Sequence, residues 1–310
     1  MNIASANSFK ALIKREYWEH KGAMFYTPAI IAAVFAGISI LIVITGGQLS
    51  VNGGHSFSFM DFMPKVLEQF ENVGDEERSR GVQIGLYGAR ILFCVVMLVV
   101  SLFYMLGSLY DERKDKSILF WKSLPVSDTA TVLSKFVSVC FLIPILYFAV
   151  ISVFQVFLLL FGTVIAWFGG NSGITLWASS NLFSVLFNSL LSLIVASLWL
   201  APIWSWLMFA SAWAKKVAFL WGTLPIFMIV IAEGWIFHTS HFIEMIGDRI
   251  AKGFIILNSN MHYLVSGDMF DMDVQRWYQV FGNIEFWGGL IVSAVLLAGA
   301  IYTRRYRDES

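Results

Sequence analysis

Charge is the scarcest commodity in this chain. Only 14% of its 310 residues are Asp, Glu, Lys or Arg, while 58% are hydrophobic and mean hydropathy is +0.71. Soluble domains carry about 25% charged residues, so a soluble globule is excluded and a polytopic membrane protein is the class that fits. The 21 basic and 21 acidic residues cancel, which removes any bulk electrostatic argument for a nucleic-acid partner or an acidic substrate. Cysteine is nearly absent. Cys94 and Cys140 both fall within apolar runs, where they read as small hydrophobes, and they define neither a disulfide framework nor a redox compartment. Repeats, low-complexity tracts and linkers are also missing, which points to one domain.

What the chain does have is long apolar runs. About 20 such residues cross the hydrocarbon core of a bilayer, and six runs meet or approach that length: 28–46, 89–110, 136–161, 181–210, 217–237 and 286–303. The third and fourth contain Pro144 and Pro202, so tilt or a kink is expected in each. The N-terminal segment is too charged for a signal peptide, since Lys10, Lys14, Arg15, Glu16, Glu19 and Lys21 precede the first run.

With six spans both ends lie on one side. Fourteen Lys and Arg fall before the first span, in the 111–135 loop, at Lys215 and Lys216, and in the tail. Seven fall in or beside the two longer loops 47–88 and 238–285. Basic residues near span ends mark the cytoplasmic face, so both termini are expected there. Trp18, Trp121, Trp167, Trp177, Trp213, Trp235 and Trp287 lie near span ends, as interfacial anchors do. Trp199, Trp204 and Trp206 do not follow that rule. The predicted fold is therefore all-α and membrane-integral.

Two pieces on the expected cytoplasmic side are amphipathic. Residues 8–25, SFKALIKREYWEHKGAMF, place Phe9, Leu12, Ile13 and Tyr17 on one stripe, with Ser8 as N-cap. Such a basic helix lies along a membrane surface. The second piece is YDERKDKSILFWKSLPVSDT, Tyr110 to Thr129. After its charges come about two helical turns exposing Ile118, Leu119, Phe120, Trp121 and Leu124. Pro125 ends them, and Ser127 or Asp128 caps the helix that follows. An apolar cluster on a short loop either lies on lipid headgroups or docks into another protein.

This second segment resembles the first cytoplasmic loop of type 2 ABC transporter permeases, the export class. The matching elements are Glu112-Arg113, the short helix Ser117–Leu124, Leu124-Pro125-Val126-Ser127, and Lys135 opening the next span. The layout of the whole chain is similar too. One departure stands out: family members often carry a Gly-Thr pair where this chain has Lys116-Ser117.

The resemblance implies a permease subunit in a bacterial cell membrane, exporting a substrate by alternating access. Two copies of a separate cytoplasmic ATPase would bind ATP and Mg and drive a homo- or heterodimer of permeases embedded in lipid. Glu112, Arg113, Ser117, Ile118, Leu119, Phe120, Trp121, Leu124 and Pro125 would form the coupling element. No G-x-x-x-x-G-K-[ST] phosphate loop is present, so this chain is expected to bind no cofactor and to hydrolyse nothing itself.

Polar residues inside spans require a reason. Glu233 falls near the outer boundary, either as a gate in the translocation path or as an interfacial carboxylate reached by water. Arg90 reads as an interfacial anchor, and Gln155 and Asn188 as helix-to-helix bonds. In the 47–88 loop a short helix from Pro64 to Glu71 and a solvated charge run are expected. In the 238–285 loop, Phe242, Ile243, Ile246 and Ile250 have helical spacing, as in re-entrant family helices. His238, His241 and Glu244 are residue types that bind metal, but histidines beside an aromatic interface are common without an ion, and no metal is expected. Asp268, Asp271 and Asp273 lack the spacing of a calcium loop. Two other classes stay open: a membrane enzyme with its site in 238–285, and a non-transporting scaffold or channel subunit.

Overall fold

The computed structural model describes residues 3–45, 48–51, 55–58, 69, 73–118, 123, 126–168, 172–266 and 277–306. Helices dominate. In chain order they are α1 (Ile3–Lys21), α2 (Thr27–Ile44), α3 (Asp75–Gly107), α4 (Tyr110–Lys114), α5 (Asp128–Val137), α6 (Ile143–Phe168), α7 (Ile174–Ser180), α8 (Leu182–Trp199), α9 (Ala201–Trp213), α10 (Ala218–Ile236), α11 (His241–Ser266) and α12 (Ile284–Tyr306). A small antiparallel hairpin follows α2. Its strands β1 (Gln48–Val51) and β2 (His55–Ser58) pair Gln48 with Ser58 and Val51 with His55.

Six segments are long and apolar enough to cross a membrane: Ser8–Ile44, Asp75–Lys114, Asp128–Phe168, Leu182–Trp199, Ala218–Ile236 and Ile284–Tyr306. Each overlaps one of the six runs read from the sequence, and the fourth ends at Trp199, well short of its run. α3 is the central element, packing against α6, α7, α8, α9, α10 and α11. α2 and α10 are peripheral; Pro28 is the one buried residue of the first, Ala218 and Gly222 those of the second. Both turn leucines, isoleucines and aromatics outward, the surface a hydrocarbon solvent calls for. Trp18, Trp167, Trp213, Trp235 and Trp287 are exposed, whereas Trp199 and Trp204 are core residues.

Two boundaries differ from the sequence reading. α1 begins at Ile3, so Ser8 is interior to the helix and not its N-cap. Ala4, Ser5, Ala6 and Asn7 contain no breaker to stop the helix there. α3 begins at Asp75, and the charge run expected to be solvated loop forms its first turns. Asp75, Glu76 and Glu77 sit where three acidic side chains favour a helix N-terminus. The helix expected from Pro64 to Glu71 lies outside the described residues except Gln69, which is helical.

Prolines explain the irregular turns. The segments Gly22–Tyr26 and Ser138–Leu142 are π-helical, and each ends two residues before a proline, Pro28 or Pro144. In the first, the Thr27 N–H donates to the Gly22 carbonyl instead of Ala23. Pro28 has no N–H to offer Ala23 in its place. The Ala23 carbonyl instead accepts the Tyr147 hydroxyl, 3.4 Å away on α6. The orphan acceptor thus ties α6 to the rod formed by α1 and α2.

Pro202 acts similarly. The fourth run breaks into α8 and α9 at Leu200, where the Ile203 N–H turns to the Leu200 carbonyl at 2.9 Å. The Trp199 carbonyl loses that donor and accepts Arg249 Nε of α11 at 2.9 Å, while the Trp199 indole donates to the Arg249 carbonyl, also at 2.9 Å. The Arg249 guanidinium lies over the Trp199 ring, 4.3 Å from its centroid. α11 is fastened to the break.

α11 is one continuous helix where the sequence suggested short ones, and its burial adds what the spacing of its apolar residues left open. Ile243 and Ile250 are exposed, and Gly253, Ile256 and Leu257 face the bundle. Gly253 packs tightly on Leu200 at the break: a Cβ there would stand 2.8 Å from Leu200 Cδ2, so the leucine side chain would have to move to admit one. Gly253→Val is expected to lower stability by about 1–3 kcal/mol through overpacking, read as a lower melting temperature in detergent.

Candidate functional site

The sequence segment that stood out most lies at the end of the bundle where α1 and the end of α12 meet. α3 stops at Gly107, and the chain turns through Ser108 and Leu109 into α4. The start of a helix leaves N–H groups without partners. Here the Leu109 and Tyr110 N–H groups donate to Ser211 Oγ at 3.0 and 2.9 Å. Arg113 reciprocates at the C-terminus of α9, donating to the Ser211 carbonyl at 2.5 Å and the Ala214 carbonyl at 3.0 Å. The Tyr110 hydroxyl bonds to the Lys216 carbonyl. Each helix end caps the other.

Glu112 points the opposite way, into the bundle, and is buried. Its carboxylate accepts from Arg304 Nη1 at 2.6 Å and lies 3.1 Å from Lys135 Nζ and 3.3 Å from Arg15 Nη2. Glu16 is fully buried beside it, 3.1 Å from Lys135 Nζ, accepting the Tyr104 hydroxyl at 2.8 Å and paired with Arg15. Arg304 Nε reaches Asp128 Oδ1 at 3.0 Å. One network therefore joins α1, α3, α4, α5 and α12. Every cation in it faces a carboxylate, which a buried charge requires.

Net stabilisation from buried ion pairs is small, because removing both partners from water offsets most of their attraction. What such a network supplies is a fixed register. The loop that carries Glu112 cannot shift without dragging α1, α5 and α12 with it.

Beyond α4 the chain turns at Lys116, whose φ of 56° lies in the left-handed region. Residues with a Cβ adopt that region at a cost of roughly 1–2 kcal/mol. It is the position where the resembled loop often carries glycine. Lys116→Gly is expected to raise stability by about 1 kcal/mol or somewhat less, after the extra unfolded-state entropy of glycine. Melting in detergent checks this.

The other coupling candidates divide. Ser117 donates to the Glu112 carbonyl at 3.2 Å. Ile118, expected to be exposed, is buried at 4% exposure, because the turn at Lys116 brings it back against the bundle. Leu119, Phe120, Trp121, Leu124 and Pro125 lie outside the described residues. Ser127 caps α5 as expected, accepting the Ala130 N–H at 3.2 Å.

Glu233 sits at the opposite end of the bundle. Its carboxylate accepts the Phe242 N–H and the Thr239 hydroxyl, both at 2.9 Å, and so caps the N-terminus of α11. Among the described residues, Glu16, Glu19 and His20 are the one group of three ligating side chains close enough for a shared metal. Glu16 is already committed to Lys135, Arg15 and Tyr104, and those cations oppose a further one. His238, His241 and Glu244 do not converge. Asp268, Asp271 and Asp273 lie outside the described residues.

Sequence reasoning missed most of the network. Glu16 falls four residues after Leu12, on the buried face of α1, and a carboxylate on that stripe was the available signal. Arg304 was counted as one more basic residue at a span end. Comparison with protein-family models, curated proteins and solved structures returns no match for the chain.

Proposed function

We propose that this chain is the membrane permease of an ATP-driven exporter, powered by a separate cytoplasmic ATPase of the ABC class. Both termini and the loop after the second span face the cytoplasm, as the distribution of basic residues requires. The residues from Ser117 to Leu124 are the handle, and Leu119, Phe120 and Leu124 are its gripping side chains. Two permease protomers and two ATPases make the working assembly, in a bacterial cell membrane.

The observation that carries this reading is the ion network at Glu112. A loop that transmits force from a soluble motor has to be stiffly joined to the helices it moves. This loop is joined to three other elements, α1, α5 and α12, through one buried carboxylate and to α9 through Arg113. A loop that merely connected two spans would need none of these bonds. The left-handed backbone at Lys116 adds weight, since it suits the glycine of the resembled loop.

The test is to co-express the chain with an ABC-class ATPase encoded beside it and to ask whether the two co-purify. Leu119→Asp with Phe120→Asp is expected to release the ATPase and abolish transport-coupled ATP hydrolysis while the permease still folds. A complex that survives both substitutions overturns the assignment of the handle. A purified permease that performs its reaction with no nucleotide-hydrolysing partner overturns the function.

A further inference from the structure

The network just described leaves no buried cation without a carboxylate, and the contrast with Arg90 is sharp. Arg90 lies on α3, fourteen residues before Tyr104, so about 21 Å along the helix from the Glu16–Glu112 network. It was expected to anchor the span at the interface; it is instead completely buried. Its guanidinium lies 5.1 Å from the centroid of the Tyr87 ring, and Nη2 donates to the Leu257 carbonyl of α11. Nε and Nη1 are buried and have no partner. Among the described residues no carboxylate pairs with it.

Its surroundings are equally incomplete. Gln155 on α6 is fully buried and donates Nε2 to the Leu86 carbonyl, one turn before Arg90, at 3.0 Å; its Oε1 has no partner. On α8, Val185 packs in one cluster with Leu86 and Tyr87, and Ser189 follows one turn later. The Ser189 hydroxyl is buried and also without a partner. Three helices thus each carry an unsatisfied buried polar group: Arg90 one turn past Leu86 on α3, Gln155 on α6 bonded to Leu86, and Ser189 on α8 one turn past Val185, which packs with Leu86.

A guanidinium cannot shed its proton to escape such a place, and an uncompensated buried charge is costly. We propose that Arg90 is the anchor of an anion-binding site inside the bundle, taking a phosphate- or carboxylate-bearing molecule, with Ser189 donating to the same group. The Gln155 Oε1 accepts from a hydroxyl or water beside it. The site stands on the helix packing alone and is independent of any ATPase partner. The anion arrives either as a lipid headgroup or as a free solute.

Thermal melting of the purified chain in a neutral detergent distinguishes these sources. One series adds inorganic phosphate, a second dihexanoyl phosphatidylglycerol, and a third dihexanoyl phosphatidylcholine as the head-group control without net charge. Wild type is expected to be stabilised by phosphate or phosphatidylglycerol well above the phosphatidylcholine response. Phosphate alone identifies a free anion, and phosphatidylglycerol alone a lipid headgroup. Arg90→Met should melt higher than wild type without ligand, because it removes an uncompensated charge, and should need at least tenfold more anion for half its response. Arg90→Lys should retain a weakened response. The proposal is overturned if neither anion stabilises wild type, or if the anion response of Arg90→Met equals that of wild type.

Discussion

Glu112→Ala is expected to destabilise the folded chain by about 3–5 kcal/mol, the cost of breaking a buried ion pair by deleting one partner. The carboxylate is the shared acceptor of Arg304, Lys135 and Arg15, so its loss leaves three cations in a largely dry site that still holds Glu16, Glu19 and Asp128 as acceptors. Melting in detergent would show the effect, and hydrogen exchange should rise in α4, α5 and the last turn of α12 together. An isolated loss of protection in α4 would mean that the network does not lock these elements to one another. Under the proposed function the same variant also transmits ATP hydrolysis poorly, even where it still binds the ATPase.

Lys135 gives the second large effect and a sharper diagnosis. Its Nζ stands 3.1 Å from both Glu16 and Glu112 and is almost inaccessible. Lys135→Met leaves two carboxylates with less positive charge between them, and a loss of about 3–5 kcal/mol is again expected. Glu16→Leu combined with Lys135→Met should recover most of that loss, because a buried pair replaced by apolar groups of similar size is often neutral or stabilising. Such recovery, with coupling to the ATPase still impaired, would assign the pair to register and force transmission. A double variant as unstable as the single one would mean that Glu16 contributes mainly through Tyr104 and Arg15.

The two effects bear on why so expensive a cluster occurs here. Helices in a bilayer gain little from burying apolar faces against each other, since lipid offers the same contact. Polar bonds between helices are among the few ways to specify which residues meet. At one end of this bundle the chain uses carboxylates and cations; in the middle it uses carbonyls freed by Pro28 and Pro202, met by Tyr147 and Arg249.

Composition and run length alone determined that the chain is helical and has six segments able to cross a membrane, because about 20 apolar residues in a row have no other use. Pro144 and Pro202 marked irregular turns for an equally local reason, a missing N–H; the same chemistry acts at Pro28, where no irregularity was expected. Ser127 as a cap was legible because capping depends on three neighbouring residues. The partners of Glu16, Arg90 and Arg304 were not legible. Each lies more than a hundred residues from at least one group it meets, and the positive tail of the sequence looks the same whether it faces water or a buried Glu112. Which face of α11 turns inward was likewise not legible from the spacing of its apolar residues: Ile243 and Ile250 are exposed, while Gly253 meets Leu200 and Ile256 and Leu257 are buried. Local chemistry sets the elements; only the packing of distant helices decides which charges are neutralised and which, like Arg90, are left to something else.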